Sequence, residues 1–192
     1  MKLFSCLALG ALLASLSSIA AASGPVSCQE LNLPDSPMAG KCAWVPYHSG
    51  YGAVSSETVY GGTENGYSVH VCRDNSGTVG KLINGTHCWV PWYGKEYRQD
   101  SYEILKVKDG STHYRWDRVT SPISVFNNEV MAGKDSGNAT YICRVYDNRS
   151  GDYTVGKFIR GEICFYPHGG HEYAADPRHQ HPLYVDVLRY VA

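Results

Sequence analysis

Beyond its first two dozen residues the chain has no apolar run long enough to cross a bilayer as a helix, which takes about 20 residues. It has little charge imbalance either: 17 Lys and Arg stand against 18 Asp and Glu, a formal net charge of -1 with His neutral. That balance excludes the electrostatic footprint of a nucleic-acid binder or of a protein held on an anionic membrane. Few segments show helical periodicity. No two cysteines stand as Cys-x-x-Cys, which removes the common zinc-site spacing. A nucleophile elbow, a phosphate-binding glycine loop and a Cys–His nucleophile motif are all missing, so the expectation is a non-enzyme without cofactor.

What the chain does have is a stretch written twice. Val79 to Glu96 reads VGKLINGTHCWVPWYGKE, and Val155 to Glu172 reads VGKFIRGEICFYPHGGHE. The two agree at nine of eighteen positions, where random pairing gives about one, so an internal repeat has to be explained first. Upstream, Gly62-Thr-Glu-Asn-Gly66 and the strand-like run ending at Arg73 correspond to Gly133-Lys-Asp-Ser-Gly137 and the run ending at Arg144. Repeat one is expected over residues 44–107 and repeat two over residues 116–191, joined by a turn at Lys108-Asp-Gly-Ser111.

The first 22 residues are expected to be a secretory signal peptide. Lys2 precedes an apolar run from Leu3 to Leu16, and the small-residue step Ala20-Ala21-Ala22 follows. Loss of Lys2 leaves the mature chain at a net charge of about -2. Cys6 leaves with the leader, so six cysteines enter an oxidising compartment: Cys28, Cys42, Cys72, Cys88, Cys143 and Cys164. Repeat logic favours Cys72–Cys88 and Cys143–Cys164, with Cys28–Cys42 clipping an irregular lead-in over residues 23–43. A cross-repeat pairing, Cys72–Cys143 with Cys88–Cys164, is the alternative. Sequons at Asn84, Asn138 and Asn148 mark candidate glycan sites on surface loops.

Strand signals dominate. Residues 68–73, 88–92, 102–107, 139–144 and 184–190 are rich in β-formers with partial alternation, and Gly, Asn, Asp and Pro separate them at turn-length intervals. The expected fold is all-β: two tandem repeats related by a pseudo-twofold and packed as a β-sandwich.

Each repeat carries, in order, a Trp near its start, a Gly-x-acid turn, a strand ending in Arg, Val-Gly-Lys, Cys-aromatic-x-Pro and Gly-x-Glu. A final strand, Tyr-Glu-Ile-Leu or Tyr-Val-Asp-Val-Leu, closes each copy. This ordered set resembles the DM-nine repeat family, which also occurs beside the pore-forming part of natterin-like toxins. The chain differs from the pattern in having Cys72 and Cys143 before the strand-ending Arg, and insertions around Tyr146–Asp152 and Ala174–Pro182. The resemblance implies a secreted mannose-binding lectin with one sugar site per repeat. The acid of the turn and the Lys of the Gly-Lys step would make the contacts, which gives Glu64 with Lys81 and Asp135 with Lys157. Trp89, Trp92 or Tyr166 would offer a face to the sugar ring. The longer Glu64, and a glycan at Asn84, predict that repeat one is the weaker site. Glycans are the expected partners, and a homodimer the expected form of any assembly.

Other readings compete. A repeated Lys and a repeated acid also suit a scaffold salt bridge, and Arg73, Arg144, Glu96 and Glu172 at strand ends and turns read as structural. The alternative function is a secreted structural or protein-interaction factor, of defence or virulence, without sugar binding. A metal site from His168, His171, Glu172, His179 and His181 is disfavoured, because two of these align with Trp92 and Lys95. Glu96 and Glu172 as a glycosidase pair are disfavoured because such a pair needs two environments on one cleft.

Overall fold

Turn residues break the chain into short segments, and the segments between them pair as strands. A computed structural model describes residues 26–28, 42–50, 54–108, 113–120, 128–159, 163–179 and 183–191. The expected signal peptide, most of the lead-in and the turn residues 109–112 lie outside these. No α-helix occurs among the described residues, and none is long and apolar enough to cross a membrane.

The strands, in chain order, are β1 (Val26–Ser27), β2 (Cys42–His48), β3 (Tyr60–Glu64), β4 (Tyr67–Arg73), β5 (Val79–Ile83), β6 (His87–Trp92), β7 (Lys95–Gln99) and β8 (Ser101–Val107). The second half follows with β9 (Tyr114–Arg118), β10 (Val130–Asp135), β11 (Asn138–Asp147), β12 (Asp152–Ile159), β13 (Cys164–His168), β14 (His171–Ala175) and β15 (Leu183–Tyr190). The protein is all-β, as expected. Equivalent strands make equivalent pairings: β2 lies antiparallel on β8 as β9 does on β15, and β8 joins β4 as β15 joins β11. Both copies carry a bulge in the strand before the Gly-x-acid turn, at Tyr60/Gly62 and at Met131/Gly133.

The two halves are joined more closely than two facing sheets. One hydrogen-bonded path runs from β1 through β10–β14, crosses to β7 at the pair His171–Lys95, and continues through β6, β5, β4 and β8 to β2. This sheet curls so that β12 packs on β3 and β5. The five residues extra to repeat two lengthen the β11–β12 hairpin, whose ladder extends to Asp147–Asp152. The stretch expected to be an irregular lead-in contributes β1, parallel to β10, and Cys42 already lies in β2.

The curl creates a shared core and two outer ones. Trp44, Val69, Val71, Val79 and Leu105 of repeat one meet Val130, Ile142, Val155 and Leu188 of repeat two. Around Cys72–Cys88 lie Leu82, Val90, Tyr102 and Ile104; around Cys143–Cys164 lie Tyr141, Val145, Phe158 and Val187. Strands β4, β5, β11 and β12 therefore bury residues on both faces, which is why their sequences alternate only in part. The disulfides are Cys28–Cys42, Cys72–Cys88 and Cys143–Cys164, with Cα separations of 5.2, 6.0 and 6.1 Å. Each closes a short loop, worth about 3 kcal/mol in the chain-entropy model.

Arg73 and Arg144 tie the halves together. The Arg73 guanidinium lies 4.4 Å over Trp44, pairs with Glu103 at 2.5 Å and donates to the Ala132 carbonyl at 2.6 Å. Arg144 lies over Trp116 and Tyr153, pairs with Asp186 at 2.9 Å and donates to the Gly61 carbonyl at 3.2 Å. Each arginine thus satisfies a carbonyl at the other repeat's bulge, which is a structural role.

Candidate functional site

The third residue of β5 and the equivalent residue of β12 are lysines that the fold nearly seals: Lys81 is 1% exposed and Lys157 4%. A buried ammonium demands counter-charges. Lys81 Nζ lies 2.6 Å from Glu64 Oε1 and 3.3 Å from Glu96 Oε1. Lys157 Nζ lies 2.8 Å from Asp135 Oδ2 and 3.7 Å from Glu172 Oε1. The structure thus brings Glu64 to Lys81 and Asp135 to Lys157. Glu64 and Asp135 end β3 and β10, and the next residues, Asn65 and Ser136, both turn at a φ of 51°. Asn and Ser before Gly suit such tight hairpins.

The second carboxylate of each cluster, Glu96 or Glu172, reads from sequence as structural, and it sits beside the lysine. Its other oxygen reaches into the opposite repeat: Glu96 Oε2 accepts from Gly170 N–H at 2.6 Å, and Glu172 Oε2 accepts from Gly94 N–H at 2.6 Å. These amides belong to the tips of the β6–β7 and β13–β14 hairpins, where Tyr93, Gly94, Gly169 and Gly170 all have positive φ, as the hairpin turn requires. The tips therefore swap. Trp92 of repeat one places its ring 4.6 Å from Lys157 Nζ, with Tyr93 edge-on to it at 5.0 Å. His168 of repeat two places Nδ1 3.2 Å from Glu64 Oε1.

Each pocket is therefore built across the repeats. Site two has Asp135, Ser136, Lys157 and Glu172 from repeat two and Trp92 and Tyr93 from repeat one, around a volume of about 170 Å³. In site one, Glu64 and Asn65 face Tyr166 and His168 in a cavity of about 270 Å³ that continues to Asp147 and Asp152. The two differ in access. The Asp135 and Glu172 side chains are 15% and 12% exposed, against 5% and 7% for Glu64 and Glu96. One oxygen of Glu64, Oε2, is buried and has no hydrogen-bond partner among the described residues. Of the expected ring faces, Trp92 lines site two and Tyr166 site one, whereas Trp89 stands opposite Lys81 in the β5–β6 ladder.

The other residues singled out in the sequence disperse. His171 pairs with Lys95 in the sheet, and His179 sits beside Asp176 at 3.5 Å. His181 lies outside the described residues. Asn84, Asn138 and Asn148 are exposed, each in or next to a turn.

At Asp135, burial works against the ionised form, but the hydrogen bond and charge of Lys157, with a hydrogen bond from Ser136, outweigh it. The carboxyl is held below its ordinary range. A lowered folded value means stability that is present above the unfolded carboxyl pKa of about 3.9 and lost as pH falls through the folded value. The melting temperatures of wild type and Asp135→Asn should therefore differ by a constant amount between about pH 7 and 5 and converge below about pH 4. Convergence already near pH 6 would contradict this ion pair.

A family model, the DM9 repeat, matches residues 63–175, which takes in both acid–lysine clusters and both hairpin tips. No curated protein matches the chain. Among solved structures, the nematode sperm cell motility protein MFP2B is similar, with a TM-score of 0.58 and 18% identity over 82% of this chain and 50% of that one. This chain spans about half the length of that protein, and at such identity the likeness is one of fold. The family match covers more than half of the chain, and the protein belongs to the DM9 repeat family.

Proposed function

We propose that this protein is a secreted, non-enzymatic lectin for mannose-type glycans, with one site per repeat and the stronger site in repeat two. The observation that carries the reading is the open cluster of Asp135, Lys157 and Glu172 beside the indole of Trp92. Vicinal hydroxyls can donate to carboxylates and accept from an ammonium in one arrangement, and such charge-assisted bonds are stronger than neutral ones. An indole face covers the apolar side of a pyranose. Site one supports weaker binding, because Glu64 and Lys81 are nearly sealed and His168 replaces the indole. The disulfides and the exposed sequons fit an exported chain.

Calorimetry with mannose tests the reading. Asp135→Ala should lose about ten- to a hundredfold in affinity, the worth of a charged hydrogen bond. Glu64→Ala should lose much less. Failure of the wild type to bind any mannose-terminated glycan on an array would sink the lectin reading.

A second reading is an exported protein-interaction factor without sugar binding. Tyr93, Tyr97 and Tyr173, exposed around the two hairpins, favour it. Here Lys81 and Lys157 would be scaffold ions alone.

A further inference from the structure

The hairpin that completes site two also borders a groove on its outer face. On β6, Val90 and Trp92 point to one side; on β7, Tyr97 and Gln99 share that side, with Val90 opposite Tyr97 in the ladder. Together with Asp74 and Ser76, from the turn after β4, these side chains line a groove of about 400 Å³. Trp92 lines both this groove and the Asp135–Lys157 pocket, so the two are adjoining and the indole is their common wall.

The groove walls are fixed and carry hydrogen-bonding groups. Asp74 Oδ1 accepts from Ser76 N–H at 2.9 Å, Ser76 Oγ–H at 2.6 Å and Thr78 N–H at 2.8 Å, which pins the turn. Tyr97 is 41% exposed and lines the groove beside Gln99. Apolar ring plus amide, hydroxyl and carboxylate is the chemistry that holds a neutral sugar ring.

The same adjacency recurs in the other half. There Tyr166 and His168 of the β13–β14 hairpin, with Asp147 and Ser150 of the turn after β11, line one continuous cavity with Glu64. Pocket and groove are already merged at site one. The strand wall and the turn therefore recur from the fold, whereas Tyr97 and Gln99 are particular to site two, since their counterparts Tyr173 and Ala175 do not line that cavity.

Resting on the sugar reading above, we infer that site two is an extended site for an oligosaccharide. One residue sits at Asp135–Lys157, and the next crosses the edge of Trp92 to lie against Tyr97 and Gln99. The preferred ligand is then a linear mannose oligomer rather than the free sugar.

Calorimetry with mannose, mannobiose and mannotriose tests this on wild type, Tyr97→Ala and Gln99→Ala. Both substitutions are of residues outside the ion-pair cluster, and circular dichroism checks the fold. Wild type should bind mannotriose about tenfold more tightly than mannose, the worth of one ring contact plus a hydrogen bond. Either variant should lose that gain while its affinity for mannose stays unchanged. Mannose binding with no gain on chain length, or an equal loss for mannose and mannotriose in the variants, would overturn the extended site and leave the lectin reading standing. Absence of binding to all three sugars by wild type would overturn both.

Discussion

Gly156→Ala is expected to cost at least about 4 kcal/mol of stability, and Gly80→Ala a similar amount, enough to consume much of a domain's total of about 5–15 kcal/mol. A Cβ on Gly156 would stand 2.0 Å from the Phe165 carbonyl oxygen and 2.9 Å from Tyr166 Cα; on Gly80 it would stand 1.9 Å from the Trp89 oxygen. All of these are backbone atoms of the paired strand, so no rotamer change relieves the overlap. The repeated Gly of Val-Gly-Lys is thus set by the close crossing of β6 over β5 and of β13 over β12. Gly137→Ala is the control: it has a φ of +86° but open space around it, and should cost about 1 kcal/mol. Urea unfolding of the three variants decides. Equal midpoints for Gly156→Ala and Gly137→Ala would show that the crossing is looser than described.

Lys81→Ala is the second substitution expected to act strongly. It leaves Glu64 and Glu96 buried together with no cation between them, and removing one partner of a buried charge cluster costs about 3–5 kcal/mol. Lys157→Ala should cost less, because Asp135 and Glu172 are the more exposed pair. The double variant Lys81→Met with Glu64→Gln should recover much of the loss, since it removes one charge of each sign. If Lys81→Ala melts with the wild type, the ion pairs of repeat one contribute little, and sequence recurrence alone would have to explain the lysine. Because Lys157 is both scaffold and candidate ligand contact, sugar binding by its variants has meaning only where the fold is shown to persist. Asp135 is the cleaner probe.

The within-repeat disulfides are legible because the repeat supplies its own control: a residue kept at the same place in both copies has the same job twice. That logic favours Cys72 with Cys88, as the structure has it, whereas the pairing of Glu64 with Lys81 follows from the family resemblance, and the structure brings those two side chains together as an ion pair. The all-β class is legible separately, because turn residues and β-formers alternate on a short scale. The logic fails for contacts between copies. Trp92 and His168 align with each other, and nothing in an alignment says that each serves the other's pocket. Glu96 and Glu172 recurred as plainly as the lysines, and the sequence carried that signal. What it withheld was the crossing at β7 and β14 that turns each glutamate toward both a lysine and a foreign hairpin. Likewise, one continuous curled sheet and two facing sheets share the same strand pattern, because both bury the same residues.

The swapped hairpin tips have a consequence for what counts as a unit here. A single repeat contains an acid, a lysine and a glutamate but not the hairpin-tip ring that walls them, because its own tip reaches away to its neighbour. Cut the chain between the copies, and each half would keep an ion cluster and lose the pocket around it; two identical halves could restore both pockets only by exchanging tips. The inherited module is therefore smaller than the working one, and duplication within one chain fixes at unit stoichiometry an exchange that separate halves would have to find by collision.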